Sequence, residues 1–209
     1  RYLSDADYEQ ARTAPLAIRQ GVRESVPVKA AFIAEMARQV VFEAYGEEAY
    51  TKGITVWTTI RSVDQDAAYA AVRRGVLDYD RRHGYRGPEA YVSLPDNPAE
   101  AEAALDRAFQ ESPDSDNLTA AVVTGATATE VRAVASNGDA VVVEGDGLKF
   151  AARNLTDKAA ASQRIRRGAV IRLTKDDKGR WAIAQLPQAE AAFLALRPAD
   201  GAIQALVGG

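Results

Sequence analysis

The chain has 209 residues, of which 47% are hydrophobic, a content that can fill the core of one large domain or two small ones. Its 26 basic and 29 acidic side chains leave a net charge of −3, which does not indicate a polyanionic partner such as nucleic acid. Cysteine is absent and histidine occurs once, which excludes disulfides and thiolate metal sites and leaves too few imidazoles for a typical zinc site. No apolar run reaches the roughly 20 residues of a membrane span. Composition therefore predicts a globular module that needs no cofactor.

The two ends of the sequence indicate a piece of a longer protein. No methionine stands at the start, and the only one in the sequence is Met36. The last residues, Val207-Gly208-Gly209, directly follow a strand-like run. We therefore expect an internal segment of a larger chain.

Helix patterns open the chain. Ser4 as an N-cap, with acidic residues in the turn after it, predicts a short helix over about residues 5–13. An amphipathic helix is predicted before the C-capping Gly46, because apolar residues recur there at spacings of three and four. These apolar residues are Phe32, Ile33, Met36, Val40 and Val41.

A strand and another helix follow. The β-branched and aromatic residues at 54–59 predict a strand. Ser62 and Gln65 have the spacing of a capping box, which predicts a helix start. The helix is expected to bury one face, formed by Ala68, Val72, Val76 and Tyr79.

The stretch at residues 81–88 is basic and punctuated by glycine, a composition that disfavours regular structure and marks a boundary. Asn97-Pro98 then starts a helix that ends before Pro113. Its shared apolar face consists of Ala101, Leu105 and Phe109.

Beyond this helix the hydrophobic period becomes two, which predicts short strands. Asn137-Gly138 predicts a hairpin with a type I′ turn, and residues 176–179 predict a second turn. Together these patterns favour a small antiparallel OB-like β-barrel, with a strand order that the sequence does not define. The predicted strands cover residues 118–124, 129–134, 140–144, 148–151, 169–174 and 181–186.

Charge separates the two parts of the chain. Residues 1–118 carry 14 basic and 20 acidic side chains, whereas residues 119–187 carry 11 basic and 7 acidic ones. At the end, two strand-like runs flank the turn at residues 198–201, which predicts a closing hairpin. The overall prediction is an α+β fold, with a helical linker and a strand before the OB-like barrel.

One short string has a counterpart in known active sites. Ser115-Asp116-Asn117 matches the second motif of serine penicillin-recognising enzymes. That chemistry also needs a serine three residues before a lysine and a Lys-Thr-Gly strand, and the sequence contains neither. We therefore predict no catalytic residue in this chain and interpret the string as loop polarity.

Other polar features have simpler explanations. His83, the single histidine, lies among arginines, which favours a surface or packing role over that of a base. Close acidic pairs are interpreted as solvated caps and turns, because no calcium loop of the EF-hand type is present. No metal-binding residue is predicted.

A cluster of basic residues near the end of the barrel is the candidate interaction patch. Its members are Lys149, Arg153, Arg164, Arg166 and Arg167. A nucleic-acid-binding OB surface also displays stacking aromatics, and this region offers only Phe150 and Trp181. A protein or cell-wall polymer is therefore favoured, and an independent single-strand nucleic-acid-binding domain is the alternative.

Four stretches resemble the bifunctional class A penicillin-binding proteins of Gram-negative bacteria, of the 1A type. The most specific runs over residues 192–209 (AFLALRPADGAIQALVGG) and resembles the first hairpin of the transpeptidase domain. Residues 56–60 (VWTTI), with Gln65, Ala67, Ala68 and Ala71 after them, resemble the strand and helix that open it. Residues 79–88 (YDRRHGYRGP) resemble the start of an inserted domain, and residues 4–11 (SDADYEQA) the last glycosyltransferase helix. Arg61 and Arg197 depart from the family's usual aspartate at turn positions.

The resemblance implies a parent enzyme, a peptidoglycan glycosyltransferase and penicillin-sensitive D-Ala-D-Ala transpeptidase, anchored in the inner membrane with this portion in the periplasm. This chain would lie between the two activities and space them. Its implied partners are those two domains, together with an outer-membrane lipoprotein activator or peptidoglycan. The implied domains are the glycosyltransferase end and linker (1–25), the opening of the transpeptidase (26–80), a connecting segment (81–118), the OB-like insert (119–187) and the truncated hairpin (188–209).

Overall fold

The computed structural model describes Ser4, Tyr8 and residues 28–176 and 178–208. The helix predicted over residues 5–13 lies mostly outside this part, although Tyr8 is helical and its amide donates to the Ser4 carbonyl at 2.9 Å. Among the described residues, none of the helices combines the length and hydrophobicity needed to cross a membrane.

Helix α1 spans Ala31–Tyr45 and confirms the predicted amphipathic helix. Gly46, with φ of 57°, ends the helix in a left-handed conformation that glycine adopts without strain. A short 3₁₀ helix, Gly46–Tyr50, follows it directly. The apolar stripe of α1 remains largely exposed within the part that the structure describes, as Met36 and Val40 show.

The strand predicted at residues 54–59 is wrong, because this segment pairs with no described strand. Its β-branched composition favours an extended backbone, but a strand also needs a ladder partner. The segment meets β8, Ile203–Val207, through a hydrogen bond of 2.6 Å from the Thr59 hydroxyl to the Ile203 carbonyl. Trp57 is 91% exposed as a consequence.

Helix α2, Ser62–Arg82, confirms the predicted helix but not its capping box. Arg61 is the N-cap and no side chain caps this end. Gln65 instead turns inward and is only 1% exposed, because its amide bonds the Lys29 carbonyl and both backbone groups of Leu206 at 2.9 Å. On the predicted apolar face Ala68 is buried, Val72 and Val76 are half-buried, and Tyr79 is exposed.

The closing hairpin is confirmed. Strand β7, Phe193–Leu196, pairs antiparallel with β8 around a turn in which Gly201 has φ of 72°. Ala205 and Val207 of β8 pack with Ala68 of α2 in a small core. The hairpin and α2 therefore form one unit.

The OB-like part is built on a six-stranded antiparallel sheet. Its elements are β1, Ala90–Tyr91; α3, Pro98–Glu111; β2, Thr119–Ala126; β3, Glu130–Ala135; β4, Ala140–Glu144; a 3₁₀ helix, Gly145–Leu155; β5, Ala169–Lys175; and β6, Trp181–Ala184. The strand order in the sheet is β1-β5-β2-β3-β4, and β6 also pairs with β5. Helix α3 follows β1 in the chain, and the 3₁₀ helix lies between β4 and β5 in the chain.

The prediction for residues 148–151 is wrong, since they lie in the 3₁₀ helix, whereas the other five predicted segments contain strands. Leu148, Ala151 and Leu155 are buried at a spacing of three and four, which is a helical period. The very short β1 was not predicted. It pairs with β5 through Ala90 and Tyr91.

The sheet is OB-like but is not a closed barrel. Within the described residues no ladder joins β4 to β6, although the two strands lie close together, and the 3₁₀ helix contacts both. Gly147 makes this approach feasible, because a Cβ there would lie 2.4 Å from the Trp181 carbonyl oxygen and 2.8 Å from Val143. Strands β4 and β6 thus lie side by side without a ladder, and the 3₁₀ helix packs on both.

The hairpin at Asn137-Gly138 is confirmed, but its turn is not type I′. Only Gly138 has positive φ, 86°, whereas type I′ needs it at both central residues. Gly138 N–H donates to the Ala135 carbonyl and Ala135 N–H to the Asp139 carbonyl, each at 2.9 Å. This is the three-residue loop of a type I turn followed by a glycine bulge.

Helix α3 confirms the prediction. The Asn97 side chain caps it by accepting from Ala99 N–H at 3.0 Å. Ala104 and Ala108 are its buried residues, and the helix packs on the sheet at Val122 and Val170. Strand β1 and α3 thus join the same body as the remaining strands.

Candidate functional site

A cleft of about 520 Å³ separates α2 from the OB-like domain. We call it the α2 cleft. The α2 residues that line it recur at spacings of three and four, which places them on one helix face. They are Tyr69, Ala70, Arg73, Arg74, Leu77, Asp78, Asp80 and Arg81. The opposite wall includes Asn117, Leu118, Phe150, Thr174, Ala184 and Gln185.

The carboxylate of Asp116 closes one end of the cleft. Lys29 Nζ lies 2.7 Å from its Oδ1, and the Tyr69 hydroxyl donates to its Oδ2. The hydrogen bond from Lys29, and then that from Tyr69, lowers the pKa of Asp116. We call this group of residues, with Arg73, the outer clamp.

Arg73 extends the outer clamp to both neighbours of Asp116. Its guanidinium donates to Asn117 Oδ1 at 2.9 and 3.0 Å and to the Ser115 carbonyl at 2.7 Å. Asp116 has φ of 54°, a left-handed conformation that few residues other than glycine adopt. The Ser115-Asp116-Asn117 string therefore forms a tight turn that binds α2.

A second set of contacts, which we call the inner clamp, surrounds Asp80 near the other end of α2. Its buried carboxylate accepts from Arg86 at 2.7 Å, from the Gln185 amide at 2.6 Å and from Gln188 N–H at 3.3 Å. Burial acts to raise the pKa of Asp80, but these hydrogen bonds outweigh it and the pKa is lowered. Gln185 also bonds Arg86 N–H and the Gly84 carbonyl, each at 3.0 Å. The inner clamp thus binds to α2 both the segment that enters the OB-like domain, residues 84–86, and the segment that leaves it, residues 185–188.

An ion pair between the buried Arg172 and the partly exposed Glu89 joins two segments of the OB-like domain. Arg172 is 2% exposed, and its guanidinium donates to both carboxylate oxygens of Glu89, at 2.8 and 2.7 Å. It also donates to the Pro113 carbonyl at 2.7 Å. The sequence did not reveal this pair or either clamp, because most of the residues that meet lie far apart in the chain.

His83 occupies the C-cap of α2. Its ring lies 4.3 Å from the Tyr79 ring, and Nδ1 is 2.8 Å from the Tyr79 carbonyl. The predicted packing role is consistent with these contacts. Within residues 28–176 and 178–208, no group of three or more histidine, aspartate or glutamate side chains is arranged to hold a metal ion.

The five residues of the predicted interaction patch lie on two joined segments. Lys149 and Arg153 belong to the 3₁₀ helix, whereas the other three arginines belong to the loop before β5. Asn154 joins the segments, because its amide donates to the Gln163 carbonyl and its carbonyl accepts from Ile165 N–H, each at 2.8 Å.

Most charges of this patch already have partners in the described structure. Lys149 pairs with Asp146 at 2.7 Å, and Arg167 lies 3.7 Å from Asp96. The other contacts are Arg164 with Asp157, and Arg166 over the Tyr91 ring at 4.6 Å. Three of the five basic side chains therefore have an acidic neighbour that partly neutralises their charge, and Arg166 contacts an aromatic ring.

The fold defines a class of protein, one in which two clamps attach an OB-like domain to a helix and a hairpin. A family model described as "Penicillin-binding protein OB-like domain" matches residues 85–189, slightly more than half of the chain. The chain therefore belongs to the family of penicillin-binding proteins that carry this domain. The match includes β1 and α3 as well as the remaining strands of the sheet.

The relatives and a solved structure agree with this assignment. The chain is 38% identical over 187 residues to penicillin-binding protein 1A of Neisseria lactamica and 35% identical over 188 residues to that of Pseudomonas aeruginosa. These alignments cover 89% and 87% of the chain, but 23% and 22% of the relatives. A crystal structure of penicillin-binding protein 1A from Haemophilus influenzae matches all of the chain and 29% of its own, with a TM-score of 0.78 and 30% identity. The chain thus spans about a quarter of the length of such proteins.

Proposed function

We propose that this chain is the non-catalytic linker and OB-like module of a bifunctional peptidoglycan synthase. In this proposal the module sets the distance and angle between a glycosyltransferase and a penicillin-sensitive transpeptidase. Its membership of the penicillin-binding protein family and the relatives named penicillin-binding protein 1A support this role. The parent chain would be anchored in the inner membrane, with this module in the periplasm.

The paired clamps are the observation that carries the proposal. The outer clamp binds the turn before β2, and the inner clamp binds the segment after β6. Two attachments along one helix restrain both the tilt and the rotation of the OB-like domain, whereas a single contact would leave a hinge. A spacer between two active sites needs this restraint, because the products of one site must reach the other.

In the same proposal, a regulator or a glycan docks on the surface of the OB-like domain. The partner would be a lipoprotein regulator or peptidoglycan, and the patch of Lys149, Arg153, Arg164, Arg166 and Arg167 would contact it. Partly neutralised basic residues suit a weak, reversible protein or glycan contact better than the continuous positive groove that a nucleic-acid strand needs.

The test uses the full-length synthase that contains this segment. Asp116→Asn removes the negative charge of the outer clamp while retaining a residue that tolerates positive φ. We expect glycan polymerisation and penicillin acylation, each assayed alone, to stay near wild type, while peptide cross-links per glycan strand fall. Asp106→Asn, an exposed substitution on α3, is the matched control. Unchanged cross-linking in the Asp116 variant would contradict the spacing role.

The non-catalytic part of the proposal has its own test. The 209-residue chain is incubated with a fluorescent penicillin, and no covalent labelling is expected. Covalent labelling of any serine would show that the chain is itself an enzyme. Retention of a single-stranded oligonucleotide that weakens steeply with salt would instead favour the nucleic-acid-binding alternative.

A further inference from the structure

The α2 cleft contains two guanidinium groups that its clamps do not use. Arg73 is held by Asn117 and Asp116, whereas Arg74 and Arg81 have no ion pair within the part of the chain that the structure describes. Both are exposed residues of α2, and both line the cleft. The contact of Arg81 is with a ring, because its guanidinium lies 5.6 Å from the Phe150 centroid.

The acidic groups of the cleft are mostly neutralised. Asp116 is paired with Lys29, and Asp80 is paired with Arg86. Asp78 is the remaining carboxylate of the lining, and it forms no hydrogen bond among the described contacts. The cleft therefore has two solvent-exposed guanidinium groups and one carboxylate that form no ion pair with a described residue, along the same helix face.

The shape of the cleft fits a small ligand. Its volume of about 520 Å³ lies within the range of small-molecule sites, and its lining includes the apolar side chains of Leu77, Leu118 and Phe150. The clamps hold the two walls in a fixed relation, so little ordering of the protein would accompany binding.

We propose that the α2 cleft binds a short peptide that carries a free carboxylate. Arg74 and Arg81 would hold the carboxylate through charge-assisted hydrogen bonds, and the apolar part of the lining would receive an apolar side chain. Asp78 favours a peptide over a simple anion, because its carboxylate can accept an amide N–H, which inorganic phosphate does not offer. Asp78 also repels a phosphate, with its higher charge, more strongly than the single carboxylate of a peptide. This inference does not depend on the spacing role proposed above.

The test is an amide NMR titration of the 209-residue chain with three probes. These are acetyl-leucyl-alanyl-alanine with a free carboxylate, the same peptide as its C-terminal amide, and inorganic phosphate. We expect saturable shifts from the free acid at residues 70–81, 116–118 and 150, and at least tenfold weaker binding of the amide, about the effect of one charge-assisted hydrogen bond. Phosphate that binds as tightly as the free acid, or an amide of equal affinity, would overturn the proposal.

Neighbouring arginines provide matched variants. The double substitution Arg74→Gln and Arg81→Gln should weaken binding of the free acid about tenfold or more. Arg82→Gln changes an exposed arginine of the same helix that is absent from the cleft lining, and it should leave affinity unchanged. Thermal unfolding of all variants is expected to match that of the parent chain. An equal loss of affinity in the double variant and in Arg82→Gln, or no loss in the double variant, would show that the cleft does not recognise a carboxylate.

Discussion

Lys29 and Asp116 are separated by 87 residues, yet Lys29 Nζ lies 2.7 Å from Asp116 Oδ1. Lys29 precedes α1, and Asp116 forms the tip of the turn before β2. Tyr69 of α2 donates to the same carboxylate. Three distant segments therefore meet at one residue in a left-handed backbone conformation, which makes this turn one of the two points where the OB-like domain is attached.

The outer clamp should respond to acid. The pKa of Asp116 is lowered from 3.8 by hydrogen bonds from Lys29 and Tyr69, so the carboxylate stabilises the folded state above the unfolded pKa. This stabilisation is lost as pH falls through the lower folded pKa. Urea unfolding followed by circular dichroism between about pH 7 and about pH 2 should show a shallower pH dependence for Asp116→Asn than for the parent. Asp106→Asn should follow the parent curve, and parallel curves for both variants would contradict the prediction.

Gln65 should be essential for attaching the closing hairpin. Gln65→Leu removes the partners of the Lys29 carbonyl and of Leu206 N–H and carbonyl, and leaves partly buried backbone groups unsatisfied. We expect a loss of about 3 kcal/mol in unfolding free energy, measured by urea denaturation. Gln110→Leu on the exposed face of α3 should change it by less than about 0.5 kcal/mol. Faster hydrogen exchange at Leu206 only in the Gln65 variant would locate the effect.

The pair of Arg172 and Glu89 should behave as a buried ion pair. Glu89→Ala leaves an uncompensated charge on Arg172 and should cost about 3 kcal/mol by denaturant unfolding. Replacing both residues by methionine should restore part of this loss, because no buried charge then remains. Glu102→Ala, an exposed change on α3, is the control. A loss below about 1 kcal/mol for Glu89→Ala would mean that solvent screens the pair as at a surface.

Gly168 should tolerate no side chain. A Cβ there would lie 2.1 Å from the Val92 carbonyl oxygen, and φ is 85°. Gly168→Ala should therefore lower the unfolding free energy by more than about 2 kcal/mol. Gly75→Ala offers the opposite case, since Gly75 lies in α2 with open space around it and alanine is the better helix former. The unfolding free energy of Gly75→Ala should rise by roughly 0.5–1 kcal/mol. A similar fall in unfolding free energy for both variants would refute the steric explanation.

Local chemistry accounts for the elements that the sequence predicted correctly. Asn97 before Pro98 marks the start of α3, and Gly46 marks the end of α1, because caps and turns depend on a few neighbouring residues. The hairpins at Gly138 and Gly201 follow from the same short-range preferences.

The errors occur where a partner decides the structure. Residues 54–59 have strand composition but find no ladder in the described structure, and residues 148–151 are helical and bury Leu148 and Ala151 in the core of the OB-like domain. Gln65 has the spacing of a capping box, yet the unpaired backbone of Leu206 competes for its amide. In each case a group remote in sequence outweighed the local preference.

The sequence alone determined the class of fold, the succession of most elements and the resemblance to penicillin-binding proteins, since periodicity, turn residues and matched strings are all local properties. Only the tertiary structure decided that the sheet stays open, that Ser115-Asp116-Asn117 is a docking turn, and that two clamps enclose a cleft with two unpaired arginines. The physical reason is distance along the chain. Gln185 meets Asp80 across 105 residues, and a hydrogen bond of that span has no periodicity or spacing by which a sequence could reveal it.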